Sequence, residues 1–261
     1  MKRIFYLFFS ILFIGNGLTQ TGYQRSNKTD IPVFAVSTLI LGTGIYTGQK
    51  VQPLSEKEVA ALNPLNVNRF DRWACSRWSP RAAHLSDALL ITSFLSPGLL
   101  FTSSQIQKDS KTVGMMYFES MILTFGLTQL TKSLTQRIRP VAYHPDAPDD
   151  FRLNNRDVRA SFFSGHTSMA FASLVFLSTV YDRYHSDSEW TPFVWGGAIG
   201  TASTVGLLRI LSGKHFPTDV IVGAVVGGAA GYFIPKLHEV EDKKSGAREI
   251  QGLCVNISIP L

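Results

Sequence analysis

The chain has 261 residues, of which 45% are hydrophobic and 17% charged, and its formal net charge is +6. This length suits one domain with a core of its own. So few charged residues are unusual for a soluble protein and favour a membrane protein. The positive charge is compatible with nucleic acid, but no usual nucleic-acid-binding motif is present, so anionic lipid head groups or phosphate fit better. The two cysteines, Cys75 and Cys254, lack metal-type spacing and are interpreted as structural or free.

Residues 1–21 have the pattern of a signal peptide or of a first membrane span. Met1, Lys2 and Arg3 precede the apolar run 4–14, and small polar residues follow to position 21. Residues 22–85 are predicted to form an N-terminal span at 31–48 and then an amphipathic interfacial segment. In that segment four arginines alternate with two tryptophans and a phenylalanine. The alternative is an ordinary connector packed on the bundle.

Further apolar runs occupy residues 85–102, 113–130, 167–181, 193–211 and 220–235. A bilayer is crossed by a helix of about 20 apolar residues, and runs of roughly 17 are still long enough. The sequence therefore predicts an all-α, polytopic membrane bundle with a core of about six spans. Residues 86–235 are predicted to form the main helical bundle, and residues 236–261 are predicted to form a charged C-terminal tail.

The connector 105–111 carries Lys108 and Lys111, which the positive-inside rule assigns to the cytoplasm. The polar ends of the later runs then face outward. With this orientation, only one of the runs 4–18 and 31–48 can cross from a cytoplasmic N-terminus, and neither can cross after signal cleavage. Either one of these runs is removed or interfacial, or the orientation is the reverse.

The first of three polar clusters holds Lys132 and Arg139, seven residues apart. Seven residues are close to two helical turns, so both cations are predicted on one face of a helix that ends before Pro140. A lysine and an arginine there suit a phosphate clamp. The alternative is a pair of snorkelling residues that mark the membrane boundary.

The second cluster is Ser164-Gly165-His166, at the predicted start of a helix. A helix N-terminus favours an oxyanion, Ser164 can cap the helix or donate to phosphate, and His166 can protonate a leaving group. In the third cluster, Arg209 precedes His215, and Asp219 follows four residues later. This spacing predicts that Asp219 orients His215 by a hydrogen bond and leaves its other nitrogen free to attack phosphorus.

These residues resemble the type 2 phosphatidic acid phosphatase (PAP2) superfamily, which includes vanadium-dependent haloperoxidases. The family signature is Lys, six residues, Arg-Pro; then Pro-Ser-Gly-His; then Ser-Arg, five residues, His, three residues, Asp. The chain matches it from Lys132 to Arg139-Pro140, at 164–166, and from Arg209 to Asp219. Phe163 replaces the family proline and Leu208 the family serine.

The resemblance implies a PAP2/haloperoxidase-like helical bundle and a metal-independent lipid phosphatase that needs no cofactor. It implies His215 as the nucleophile that forms a phosphohistidine, Asp219 as its partner and His166 as the general acid. Its implied phosphate ligands are Lys132, Arg139, Ser164, Gly165 and Arg209. The expected partners are the bilayer and a lipid phosphate: lipid A, undecaprenyl diphosphate, phosphatidylglycerol phosphate or phosphatidic acid.

The expected location is a bacterial inner membrane, with the site facing the periplasm and residues 141–159 reading the head group or simply forming a solvated loop. Two other functions remain open. A vanadate-dependent haloperoxidase would use the same pocket, and a lipid-phosphate transporter or binding protein would use the same basic cluster.

Overall fold

The computed structural model describes residues 22–240. Within this range the regular secondary structure is helical, apart from one isolated bridge between Tyr23 and Glu239. The α-helices are α1 Asn27–Gly48, α2 Glu56–Ala60, α3 Pro80–Leu95, α4 Ser104–Lys108, α5 Ser110–Thr135, α6 Asp149–Asn154, α7 Gly165–Tyr184, α8 Thr191–Leu211 and α9 Pro217–Leu237. The 3-10 segments are Pro64–Asn66, Arg72–Ser76, Ser96–Thr102, Pro140–Tyr143 and Arg156–Arg159.

Six long helices, α1, α3, α5, α7, α8 and α9, form the bundle within the described range. Four of them, α1, α3 with its following 3-10 turn, α8 and α9, are long and apolar enough to cross a membrane. Large apolar side chains such as Leu39 and Phe193 are about 70% exposed on their outer faces, as lipid-facing residues would be. The predicted all-α membrane bundle is thereby confirmed.

Helices α5 and α7 are less apolar because they bury polar side chains inside the bundle. Buried hydroxyls on these helices, including Thr124, Thr128 and Ser178, donate to carbonyls four residues earlier on their own helix. Each hydroxyl is thereby satisfied without a partner from lipid or water. The two polar-lined helices can therefore lie at the centre of the bundle.

A stripe of glycines brings α9 against α7. A Cβ at Gly223, Gly227 or Gly231 would lie 2.7, 2.0 or 2.4 Å from the carbonyl oxygen of Ser164, Ser168 or Ala172, respectively. Both sets of residues advance four at a time, so the stripe follows one face of each helix. Small residues at this spacing let membrane helices approach closely, and here they hold the start of α9 beside the start of α7.

Helix α1 runs parallel to α5. A Cβ at Gly126 would lie 3.1 Å from the Leu41 nitrogen, and one at Gly44 would lie 2.5 Å from the Leu130 nitrogen. The contact therefore advances in the same direction on both helices. The run 31–48 thus traverses the bundle and ends at the same face as α5.

Two local features shape the N-terminal half of the described chain. A capping box between Ser55 and Glu58 starts α2. Helix α3 ends at Leu95, and the chain continues through Pro97 and Gly98 as a 3-10 segment. The predicted signal peptide or first span at 1–21 and most of the tail at 236–261 lie outside the described residues, and the division into 22–85 and 86–235 stays a prediction.

Candidate active site

The three polar clusters meet at one face of the bundle, where α5 and α8 end and α7 and α9 begin. Backbone contacts tie their loops together: the Ser164 nitrogen donates to the Asp219 carbonyl at 3.0 Å, and the Val141 nitrogen donates to the Gly213 carbonyl at 2.8 Å. Gly213 has a φ of 70°, a conformation that favours glycine and turns the chain after α8. The three clusters therefore meet because the helix ends that carry them lie at the same face, although the clusters are far apart in the sequence.

Lys132 and Arg139 both reach this face, but not from one helix. Helix α5 ends at Thr135 because Gln136 adopts a left-handed conformation, and Arg139 is extended before Pro140. The prediction that both cations share a helical face was therefore wrong. Lys132 Nζ has no hydrogen-bond or ion-pair partner among residues 22–240, and it would lie 3.6 Å from a Cβ placed at Gly165.

Arg139 is 4% exposed and is held rigidly by the loop residues around it. Its Nη2 donates to Asp157 Oδ1 at 2.7 Å, its Nε to the Asp157 carbonyl at 2.8 Å and its Nη1 to the Lys214 carbonyl at 3.2 Å. Burial raises the pKa of Asp157, but the charges of Arg139 and Lys132 outweigh it and the net shift is downward. Asp157 is therefore a carboxylate that fixes the guanidinium.

Ser164 caps α7, as predicted, and places Gly165 and His166 in its first turn. The Ser164 hydroxyl is fully buried and accepts from the Thr167 hydroxyl at 2.8 Å. His166 is partly exposed, and its Nε2 lies 2.7 Å from Asp87 Oδ1. Asp87 lies on α3 and was not predicted to be part of the site.

Arg209 lies in the last turn of α8 inside the same cluster and is 5% exposed. Its Nη1 donates to Ser86 Oγ at 3.0 Å and to Asp87 Oδ1 at 3.2 Å. Its buried Nε has no hydrogen-bond partner in the part of the chain that the structure describes. Asp87 thus contacts both His166 and Arg209 through one oxygen.

His215 is 1% exposed, and its Nδ1 lies 2.7 Å from the Ser161 carbonyl oxygen. A carbonyl only accepts, so Nδ1 carries the proton and Nε2 keeps its lone pair in the neutral ring. Burial and the charges of Arg139, Lys132 and Arg209 lower the pKa of His215 well below its usual value. The ring is consequently neutral at physiological pH.

The predicted hydrogen bond between Asp219 and His215 was wrong. His215 Nδ1 is 3.7 Å from Asp219 Oδ2, and Ser161 stands between the two residues in the network. Asp219 Oδ2 accepts from the Ser161 hydroxyl at 2.5 Å and from the Phe216 nitrogen at 2.8 Å. Asp219 caps the start of α9, so its Oδ2 is occupied by these two hydrogen bonds. Its connection to His215 runs through Ser161, whose carbonyl oxygen contacts Nδ1 of His215.

A second arginine of the first motif, Arg137, was missed. Its guanidinium donates to Asp219 Oδ1 at 2.5 Å and to Asp71 Oδ2 at 2.7 Å. Asp71 is fully buried and also accepts from the Thr218 nitrogen and hydroxyl. Nothing in the sequence indicated that Asp71 belongs to the site, because it lies in a stretch rich in arginine and tryptophan, far from the motifs. Arg137 could have been noticed, because it is a third cation within the first motif.

A pocket of about 330 Å³ opens beside Lys132. One side of the pocket is lined by polar residues of the 3-10 segment Arg156–Arg159 and by Asn155 before it. The other side is lined by the C-terminal end of α1, including Gln49. Within the described range, Lys132 is the candidate phosphate ligand that lines this pocket, whereas Arg139, Arg209 and His215 are not among its lining residues. The cations of the pocket wall suit a phosphate-sized anion.

Comparison with known proteins identifies the family of the chain. The family model described as PAP2 superfamily matches residues 113–242. Bacitracin transport permease protein BcrC of Bacillus licheniformis is 30% identical over 150 residues, which are 47% of this chain and 68% of that protein. The chain belongs to the PAP2 superfamily.

Two other similar proteins are informative about coverage. Lipid A 4'-phosphatase of Porphyromonas gingivalis is 29% identical over 142 residues, which are 53% of this chain and 56% of that protein. The chain thus spans little more than half of the length of that relative. A solved transmembrane PAP2-type phosphatidylglycerolphosphate phosphatase from Bacillus subtilis has a TM-score of 0.39 and 15% identity, covering 85% of this chain and 97% of that one.

Proposed function

We propose that this protein is a membrane phosphatase that releases phosphate from a lipid phosphomonoester or diphosphate. The observation that carries the proposal is a buried, neutral His215 whose Nδ1 proton is fixed by Ser161, placed among the charges of Lys132, Arg139 and Arg209. The cations would bind the phosphate oxygens, together with Ser164 and the backbone at Gly165. Family membership and relatives named as phosphatases support the same chemistry.

The proposed reaction has two steps. Nε2 of His215 attacks phosphorus, the bond from phosphorus to the leaving oxygen breaks, and His166 gives its proton to that oxygen. Water then attacks phosphorus, the bond from phosphorus to Nε2 breaks, and His166 takes a proton from the attacking water. Inorganic phosphate leaves, and His215 is neutral again. Asp219 keeps Ser161 in place, so that the Ser161 carbonyl accepts a hydrogen bond from Nδ1 of His215, and Asp87 holds His166.

Candidate lipids are lipid A, undecaprenyl diphosphate, phosphatidylglycerol phosphate and phosphatidic acid. The pocket beside Lys132 is lined by residues 155–157, 159 and 160. The expectation that residues 141–159 read the head group is therefore proposed for the last part of that segment. Arg156 and Arg159 bring positive charge to that wall, which suits an anionic or hydroxyl-rich head group. We propose a bacterial inner membrane location with this face toward the periplasm.

The test is phosphate release from these four lipids by detergent-solubilised protein, with EDTA present and no added metal. Wild type is expected to release phosphate and to carry an acid-labile phosphoryl group on histidine. His215→Ala should lose both, with activity lower by at least about 10³-fold, because it removes the proposed nucleophile. His84→Ala is the matched control, since this histidine is exposed on α3 and outside the site, and it should keep full activity.

Transport is the second candidate function, because one relative is named a transport permease. A transporter would bind and move a lipid phosphate whether or not His215 can attack phosphorus. Wild-type protein that binds the lipid but releases no phosphate would contradict the phosphatase proposal. Peroxide-dependent halide oxidation with added vanadate would instead indicate the haloperoxidase branch.

A further inference from the structure

Three ionisable side chains lie buried together at the face of the bundle opposite the candidate active site. Asp30 of α1, Glu119 of α5 and His238 just after α9 are 5%, 0% and 3% exposed. One potential ligand atom from each lies within 4.8 Å of the others. Glu119 precedes Lys132 by 13 residues, a rise of about 20 Å along α5, so the cluster is separate from the phosphate site.

Glu119 has no hydrogen bond to explain its burial. Both carboxylate oxygens are inaccessible, and neither has a hydrogen-bond partner among residues 22–240. Burying a carboxylate without partners is costly, so a cation or a proton is expected beside it. His238 Nε2 lies 3.5 Å from Glu119 Oε2.

His238 is oriented as a metal-binding histidine is. Its Nδ1 lies 2.8 Å from the Ile234 carbonyl, which only accepts, so the neutral ring carries its proton there. Nε2 then directs its lone pair toward the two acids, 2.7 Å from Asp30 Oδ1. A ligating histidine commonly donates its other ring proton to a carbonyl in this way. Arg25 Nε approaches the other Asp30 oxygen at 3.8 Å.

We propose that Asp30, Glu119 and His238 bind one divalent first-row transition metal ion, with Zn²⁺ as the probe. Two carboxylates and a neutral imidazole balance the charge of such an ion, and all three are known zinc ligands. Tetrahedral ligands with bonds of about 2.0 to 2.1 Å stand roughly 3.3 Å apart. The separations of 2.7 and 3.5 Å from His238 Nε2 fall on either side of that value, so small side-chain rotations suffice.

The ion would connect the first and last described helices to the centre of the bundle. Asp30 belongs to α1 and Glu119 to α5, and His238 caps α9 next to the bridge between Tyr23 and Glu239. Metal binding is therefore expected to stabilise this end of the molecule. The proposal does not depend on phosphatase activity, because none of its residues contacts the candidate active site.

The experiment uses the full chain in detergent, purified without a polyhistidine tag and stripped with a chelator. Zn²⁺ is expected to bind at one equivalent per chain by elemental analysis after gel filtration. The melting temperature should rise by roughly 5 to 10 °C at a hundredfold excess over the dissociation constant. Co²⁺ should give the visible absorption of a low-coordinate site, and Zn²⁺ should displace it.

Glu119→Gln and His238→Asn should lose the bound metal and the shift in melting temperature. Asp109→Asn is the matched control, because Asp109 is a buried acid at the same face, bonded to the Tyr184 hydroxyl, outside the cluster. It should bind Zn²⁺ as wild type does. A folded wild type without stoichiometric metal and without the Co²⁺ spectrum would overturn the proposal, even where a variant fails to fold. Phosphate release by His215 would be unaffected by that result.

Discussion

Asp87 joins two candidate functional groups through a single oxygen, at 2.7 Å from His166 Nε2 and 3.2 Å from Arg209 Nη1. We expect Asp87→Asn to lower kcat about 10- to 100-fold, because a small displacement of a proton donor is costly in an otherwise organised site. KM should change less, since Arg209 keeps its hydrogen bond to Ser86. Steady-state kinetics on the preferred lipid measure both constants.

A second substrate separates positioning of the acid from damage to the fold. p-Nitrophenyl phosphate has a leaving group that hardly needs protonation, so its hydrolysis by Asp87→Asn should fall much less than lipid hydrolysis. Asp146→Asn, an exposed carboxylate on the same face, is the control and should behave as wild type. An equal loss on both substrates would show that Asp87 does not act through His166.

At this scale the sequence predicted the charged groups but not their partners. Motif spacing was sufficient to identify Lys132, Arg139, Arg209 and the two histidines, and the structure brings them to one face. Asp71 and Asp87 come from other parts of the chain, and no spacing rule connects them to the motifs. The assumed bond from Asp219 to His215 failed because helix capping competes for the same oxygen.

At the scale of elements, the packing of α9 on α7 depends on which face of α9 each glycine occupies. A Cβ at Gly227 would meet backbone atoms of Ser168 at 2.0 to 2.8 Å, whereas one at Gly228 would meet nothing within 4 Å. Gly227→Ala is therefore expected to separate the helices and to destabilise the fold by about 1 to 3 kcal/mol. Gly228→Ala should be neutral or stabilising by up to about 1 kcal/mol, since alanine is the better helix former.

Thermal unfolding in one detergent measures this matched pair. Equal melting temperatures for Gly227→Ala and Gly228→Ala would contradict the close approach of α7 and α9. Because the stripe also holds Ser164 beside Asp219, Gly227→Ala should lose activity in parallel with stability. The four-residue spacing of Gly223, Gly227 and Gly231 was visible in the sequence, whereas the facing helix was not.

The helices themselves were well predicted because long apolar runs give a strong signal. The end of α5 was not, since the left-handed Gln136 lies four residues before the proline that was expected to stop the helix. The sequence also left open whether the run 31–48 crosses. The parallel contact of α1 with α5 answers this, and that contact joins residues more than 80 positions apart in the chain.

At the scale of the whole molecule, this parallel contact constrains the orientation. The residues before α1 and the connector between α3 and α5 lie at one face, and the candidate site lies at the other. If the site faces the periplasm, Gly22 begins in the cytoplasm, which a cleaved secretory signal would not produce. The two expectations of a cleaved signal and a periplasmic site therefore exclude each other. The site face also carries arginines, which the positive-inside rule would assign to the cytoplasm. Three of them, Arg137, Arg139 and Arg159, form ion pairs with acids at that face.

Cysteine labelling decides between these orientations. In a background with Cys75→Ser and Cys254→Ser, the exposed positions Asp146 at the site face and Gln105 at the opposite face are each replaced by cysteine. With the outer membrane permeabilised, an impermeant maleimide should label Asp146→Cys in intact cells and Gln105→Cys only after lysis. That result would keep the segment before α1 on the cytoplasmic side. The reverse pattern would place phosphate release in the cytoplasm and make cleavage of residues 1–21 compatible with the fold, because Gly22 would then emerge outside.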